Sequence, residues 1–191
     1  MTDIEIGLLV YNAGAGHDAD FFLYQSVESA IDLVNLNCHG PVLLAHHFGR
    51  LMRDRQRGGM IFLSSMAALA GGSYIATYAA TKSFDIVFAQ SLWHELKADY
   101  INVLGLIAGA TATPAMAASG FDIGQKNEEG LPVFMSSSAV AKEGLDNLEN
   151  GPIHIVGDVN RASADAFNQL SREQSVNMMS QATAELYKKP S

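Results

Sequence analysis

Four short apolar runs, Ile4 to Tyr11, Met60 to Ser64, Ile101 to Ile107 and Ile153 to Val156, alternate with longer stretches of helical spacing, and no other feature limits the fold as tightly. The first of them is apolar on both faces, which suits a strand covered above and below in a parallel sheet. The helical stretches run over about Val27 to Arg55, about Tyr74 to Ala98, about Ser138 to Leu148 and Val176 to Tyr187. Strand, helix, strand, helix implies an α/β domain built on a parallel sheet with right-handed crossovers. In open sheets of this kind ligands bind at the carboxyl ends of the strands, so the residues that follow each run are where chemistry is expected.

Composition narrows the class without naming a job. At 191 residues and 48% hydrophobic content, the chain reads as one domain over residues 1–191 with a substantial core. A net charge of −8 argues against a general phosphate-backbone binder, so no nucleic-acid partner is expected. Cys38 is the single cysteine, which excludes an intrachain disulfide and reads as a buried apolar thiol. No charged-then-apolar leader opens the chain and no run approaches the roughly 20 apolar residues of a membrane span. A cytoplasmic protein without membrane contact is the expectation. His46 and His47 are adjacent and cannot face one ion in the i, i+4 manner, so no metal site is expected, and Asp18 and Asp20 after His17 read as loop polarity. Arg53, Arg55 and Arg57 stand at a helix C-terminus, where cations suit the macrodipole as caps or solvated face.

Tyr78 and Lys82 stand as Tyr-x-x-x-Lys within Thr77-Tyr-Ala-Ala-Thr-Lys-Ser. Positions i and i+4 share one helix face, so the Lys82 ammonium can sit beside the Tyr78 phenol and favour its ionised form. A phenol with a reference pKa of about 10 then becomes a usable acid or base near neutrality. Any helix can carry such a pair, and an isolated match is more simply a Tyr packed along a Lys stem. The surroundings make it specific: Gly59-Met-Ile-Phe-Leu-Ser-Ser65 reads as a buried strand, and Met66 to Ser73 is small and Gly-rich before the helix begins. Strand end, loop and helix start converge on one point, and Ser65 is placed to hold a substrate oxygen next to the phenol.

With these residues the chain resembles the short-chain dehydrogenase/reductase family over most of its length. Val10-Tyr-Asn-Ala-Gly14 resembles the family's Asn-Asn-Ala-Gly, the strand end that lies under the cofactor. Asn37, Ser65, Tyr78 and Lys82 match its catalytic tetrad, and Ile107-Ala-Gly-Ala-Thr-Ala-Thr113 resembles its Pro-Gly-x-x-x-Thr. Tyr11 replaces the first Asn, while Asn12, Ala13 and Gly14 keep the close-approach backbone; Ala108 replaces Pro and leaves Gly109 and Thr113 in place. Asn37 is preferred to Asn35 because Pro41 has no N–H to give the Asn37 carbonyl, which can then hold the water that the family's relay needs. Asn35 can still bond the N–H of His39, and Pro41 can equally be no more than a kink in a long helix.

The resemblance implies a Rossmann-like parallel sheet flanked by helices and hydride transfer between nicotinamide, as NAD or NADP, and a small alcohol or carbonyl substrate. Tyr78 is then the general acid/base, Lys82 lowers the phenol's pKa and holds the nicotinamide ribose, Ser65 orients the substrate oxygen and Asn37 keeps the water relay. Asn12, Ala13, Gly14, Tyr78, Lys82, Gly109 and Thr113 line the cofactor. Residues 114–138 correspond to the substrate lid, where Met116, Phe121, Phe134 and Met135 either line an apolar pocket or anchor the loop. The family assembles through the two long helices, giving homo-oligomers; Phe84, Val87, Phe88 and Leu92 fit either that interface or the sheet.

The family's domain normally opens with a strand, a Thr-Gly-x-x-x-Gly-x-Gly turn and a helix that cradles the pyrophosphate. Gly14-Ala-Gly16 lacks the further glycine and follows the wrong strand, so the chain resembles the C-terminal part of the fold, N-terminally truncated, with the first strands and helices missing. Impaired dinucleotide binding and a sticky sheet edge at Ile4 to Tyr11 are expected from this. The alternative function is a non-catalytic remnant or oligomerisation module unable to bind dinucleotide.

Overall fold

β2 (Gly58–Ser65) and β3 (Ile101–Ala108) form the middle of a four-stranded sheet, with β1 (Leu8–Tyr11) beside β2 and β6 (Ile153–Ile155) beside β3, every pairing parallel, while the short β4 (Thr111–Ala112) and β5 (Met135–Ser136) pair with each other. This arrangement comes from a computed structural model that describes residues 4–14, 16, 19–127, 130 and 132–188. His17 and Asp18, read above as loop, lie outside the described residues. No helix among the described residues is long and apolar enough to cross a membrane.

Side chains alternate across a strand, and β2 uses both of its faces. Met60 and Phe62 join Leu9, Tyr11, Met52, Ala89 and Val103 in one cluster, against which Phe88 and Leu92 also pack. Ile61 points the other way, into a cluster with Leu104, Leu106, Val140 and Val156. The first cluster is roofed by α2 (Gly40–Arg55) and α3 (Ala76–Leu96), the second by α5 (Ser137–Asp146). β2 and β3 are thus covered on both faces, as their apolar runs required, whereas the edge strand β1 buries Leu9 and Tyr11 but leaves Val10 50% exposed. Phe88 and Leu92 pack toward the sheet, whereas Val87 on the same helix is 62% exposed.

Helix starts follow local chemistry. Ser26 caps α1 (Val27–Val34), Thr113 caps α4 (Pro114–Ala118), Ser136 caps α5, and Ser171 forms a capping box with Gln174 at the head of α7 (Arg172–Tyr187). Between α1 and α2 the backbone widens into a π turn, Asn35–His39, with the Gly40 N–H on the Asn35 carbonyl. Pro41 is the cause: it has no N–H to return to residue i−4, so the ladder slips by one residue just before it. The expected bond from His39 to Asn35 is replaced by one from Gly40.

Two further expectations change. Regular pairing of β1 starts at Leu8 rather than Ile4, because Leu8 already stands opposite Gly59 at the start of β2. Ile4 is 67% exposed, and Glu5 instead bonds the guanidinium of Arg57 at 2.8 Å and lies 3.5 Å from that of Arg55. A helix, α6 (Asp158–Gln169), also stands where the apolar spacing announced none. Most of its residues are polar, Val159 and Phe167 are its only large apolar side chains and Ala164 is its one buried residue, so few apolar positions mark it in the sequence.

Candidate active site

The strand register brings the carboxyl ends of β1, β2 and β3 to one edge of the sheet: Tyr11 stands opposite Phe62, and Ser65 opposite Ala108. Asn12, Ala13 and Gly14 leave β1 there and are exposed. Gly109 leaves β3 beside them, so close to α6 that a Cβ on it would fall 2.6 Å from Asn160 Oδ1. Thr113 spends its hydroxyl on the Met116 N–H at 3.2 Å.

Asn37 reaches the site from the π turn and is fully buried, with its Nδ2 donating to Thr81 Oγ1 at 3.0 Å. Thr81 in turn donates to the Tyr78 carbonyl at 2.9 Å, which joins the π turn to the first turns of α3. Tyr11 supports the same turn. Once Gly40 has bonded Asn35, the Leu36 carbonyl lacks its ordinary helical donor, and the Tyr11 hydroxyl donates to it at 2.6 Å. A Cβ at Gly40 would fall 2.1 Å from that hydroxyl, so glycine is required where the tyrosine passes. The departure from the family's Asn at position 11 therefore has a structural task.

Lys82 lies beneath this group with its side chain 9% exposed. Its ammonium donates to the Leu63 carbonyl at 2.8 Å and to Asp85 Oδ2 at 3.1 Å. A Cβ on Gly14 would stand 3.2 Å from Lys82 Nζ and 3.4 Å from Asn37 Oδ1, so strand end, π turn and α3 meet around one glycine. Asp85 is 1% exposed, and its Oδ1 has no hydrogen-bond partner among the described residues. Burial pushes its carboxyl up to about 6, with the Lys82 ammonium pulling it back. Burial, followed by the charge on Asp85, also lifts the Tyr11 phenol and the Cys38 thiol.

Neither the Ser65 hydroxyl nor the Tyr78 phenol hydrogen-bonds this group among the described residues. Ser65 Oγ accepts from the Ala67 N–H at 3.2 Å, and its neighbour Ser64, buried, donates to the Lys82 carbonyl at 2.7 Å. The Tyr78 phenol is half-buried and makes no hydrogen bond among the described residues. On one flank α7 closes in: its Ser180 Oγ accepts from the Ser73 N–H at 3.0 Å, and Tyr187, packed on Phe121 at 5.5 Å, has its phenol raised by burial and then by Tyr78. Phe134, 4% exposed, and Met135 anchor the 114–138 segment into the core, with Phe121 edge-on to Phe134 at 6.2 Å. A separate cavity of about 430 Å³ lies among Leu69, Ile155, Phe167, Leu170 and Arg172, with none of the tetrad in its lining.

Gly14, Asn37 and Lys82 are thus in one cluster, with Tyr78 tied to it through Thr81. Thr81 and Asp85 were not singled out from the sequence. The signal for Asp85 was its charge, three residues after Lys82, in the otherwise apolar stretch Phe84 to Phe88.

Residues 4–122 match the sequence model of the short chain dehydrogenase family, and the chain belongs to that family. It is 24% identical over 179 residues to a 7beta-hydroxysteroid dehydrogenase of Clostridium sardiniense, an alignment covering 89% of this chain and 63% of that protein. A solved 7beta-hydroxysteroid dehydrogenase superposes with a TM-score of 0.77 at 19% identity, covering 91% of this chain and 66% of the other. A short-chain dehydrogenase from Sphingobium yanoikuyae, solved in complex with NADPH, superposes with a TM-score of 0.71 at 27% identity, covering 87% and 63%. The chain therefore spans a little under two thirds of the length of these relatives.

Proposed function

We propose that this chain carries the proton-transfer and substrate-orienting part of an NAD(P)-dependent oxidoreductase acting on an alcohol or carbonyl. The observation that supports it most is the convergence of Gly14, Asn37 and Lys82 at the carboxyl edge of the sheet. The residues fit the nicotinamide end of such a cofactor: Asn12 to Gly14 are exposed backbone at a strand end, and the Lys82 ammonium stands where a side chain at position 14 would be. The cofactor, when bound, supplies or accepts a hydride at the substrate carbon. Asn12, Ala13, Gly14, Gly109 and Thr113 would line it, with Lys82 on the ribose.

In reduction the Tyr78 phenol gives its proton to the carbonyl oxygen, leaving an alcohol and a phenolate; in oxidation the phenolate takes that proton back. Ser65 Oγ orients the same oxygen, and Asn37 keeps the path by which the phenolate regains a proton. The 114–138 segment acts as the substrate lid. Assembly through α1, α2 and α3 belongs to this reading, supported by the exposure of Ile31, Leu43 and Val87 at 54%, 57% and 62%; a clean monomer by light scattering counts against it.

The test is the intact chain with NADH or NADPH and a panel of ketones, followed by cofactor oxidation. Wild type is expected to turn over, and Tyr78→Phe to lose activity by about two to four orders of magnitude with unchanged circular dichroism. Retained activity removes Tyr78 from the role, and failure of wild type to bind either cofactor at millimolar concentration overturns the reading.

A further inference from the structure

Asp85 is the buried titratable group that the chemistry above leaves without a task. A carboxylate at 1% exposure with one oxygen lacking a partner is a poor choice for packing, since an aliphatic side chain at that position would bury nothing polar. Its other oxygen faces the one residue on α3 whose head group lies under Gly14. The ammonium is held from two sides, by the Leu63 carbonyl at 2.8 Å and by Asp85 at 3.1 Å, so the carboxylate and a strand carbonyl together set where the positive charge stands.

We propose that Asp85 is a positioning residue for Lys82: its carboxylate seats the ammonium at the floor of the site beneath Gly14, and its protonation loosens that seat. This rests on the reading of Tyr78 and Lys82 given above. The titratable groups that sense or face Asp85 come from three elements: Lys82 on α3, Tyr11 on β1 and Cys38 on the π turn. Among the described residues Lys82 alone bonds it, and the shift of the Asp85 carboxyl to about 6 puts its protonation within reach of ordinary buffers. With Asp85 ionised, the ammonium's field at the Tyr78 phenol is partly cancelled; with Asp85 neutral, that field is felt in full.

The experiment uses the full chain carrying ¹³C-labelled lysine and aspartate, titrated by NMR from pH 5 to pH 8. The Asp85 carboxyl carbon and the Lys82 Cε resonance are expected to move with one common midpoint near 6 in wild type, and the Lys82 step is expected to vanish in Asp85→Asn while the fold is retained by circular dichroism. A Lys82 resonance without that step in wild type, or with it in Asp85→Asn, overturns the proposal. Should Asp85→Asn not fold, the wild-type titration decides by itself. For turnover, Asp85→Asn should move the pH midpoint of alcohol oxidation downward by about one unit, tenfold in proton concentration, which loss of packing alone does not produce. The NMR step needs no activity, so a Lys82 step in a chain that never turns over would sink the oxidoreductase reading and spare the seat, and turnover without the step would do the reverse.

Discussion

Asp85 and Glu143 are both carboxylates bonded to cations, and their acidities move in opposite directions. Among the described residues Asp85 has one ionic partner and almost no solvent, and burial pushes its carboxyl up from its ordinary 3.8 to about 6. Glu143 on α5 is also lifted by burial, but His154, Arg161 and the Gly157 N–H outweigh it and hold the carboxyl down to about 2. Its Oε1 lies 2.8 Å from His154 Nε2, 2.6 Å from Arg161 and 3.2 Å from the Gly157 amide. The depth of burial set against the number of hydrogen bonds reaching the carboxylate, and not the mere presence of a cation, decides which way it moves. Glu143 ties β6 and α6 to α5; Asp85 is left, among the described residues, with one oxygen that no donor reaches, at the floor of the site.

The sharpest way to break this contrast is to remove Lys82. Lys82→Met leaves Asp85 a buried carboxylate with no cation, and stability at pH 8 should fall by about 3–5 kcal/mol in urea denaturation, less at pH 5 where the carboxyl can protonate. Lys82→Met with Asp85→Leu removes both charges and should regain most of that loss. A double variant as unstable as the single one would show that the pair is not what Lys82 contributes.

A smaller effect separates the two carboxylates by pH. Asp85 binds more protons folded than unfolded between pH 3.8 and about 6, so it weakens the fold as pH rises through that window. The decline is at most about 3 kcal/mol, and Asp85→Asn should flatten it. For Glu143 the sign is reversed: its stabilisation is present above 4.5 and lost as pH falls toward about 2, a limb that Glu143→Gln should flatten. Thermal melts from pH 2 to pH 8 on the three proteins read both limbs. Smallest of all, Glu143→Gln at pH 7 should lower stability by about 1 kcal/mol, because Arg161 is 41% exposed and water screens the pair; a loss as large as that of Lys82→Met would erase the distinction between the two networks.

The main elements were legible because their signals are local. The apolar runs at 60–64 and 101–107 became the two central strands, Pro41 marked the break between α1 and α2, and the small residues before Ala76 marked the approach to α3. α6 was missed because a mostly polar helix with Val159 and Phe167 as its only large apolar residues offers few apolar positions to read along the chain. Residues 4–7 were overextended into a strand because pairing depends on where β2 begins, which is a property of another segment. Asp85 stands out locally as a charge among Phe84, Ile86, Val87 and Phe88, but its burial and its pairing with Lys82 depend on what packs over α3.

By itself, then, the sequence determined the parallel α/β order, the family, and the chain positions of Asn37, Ser65, Tyr78 and Lys82, since periodicity and motif spacing are read along the chain. Only the tertiary structure decided that Tyr11 would donate to Leu36 across the π turn, that Gly14 would stand over Lys82, and that the lysine would find its carboxylate in Asp85. Those contacts depend on what packs around each group. Burial sets the cost of a charge and proximity sets its partner, and both come from segments far apart in the chain.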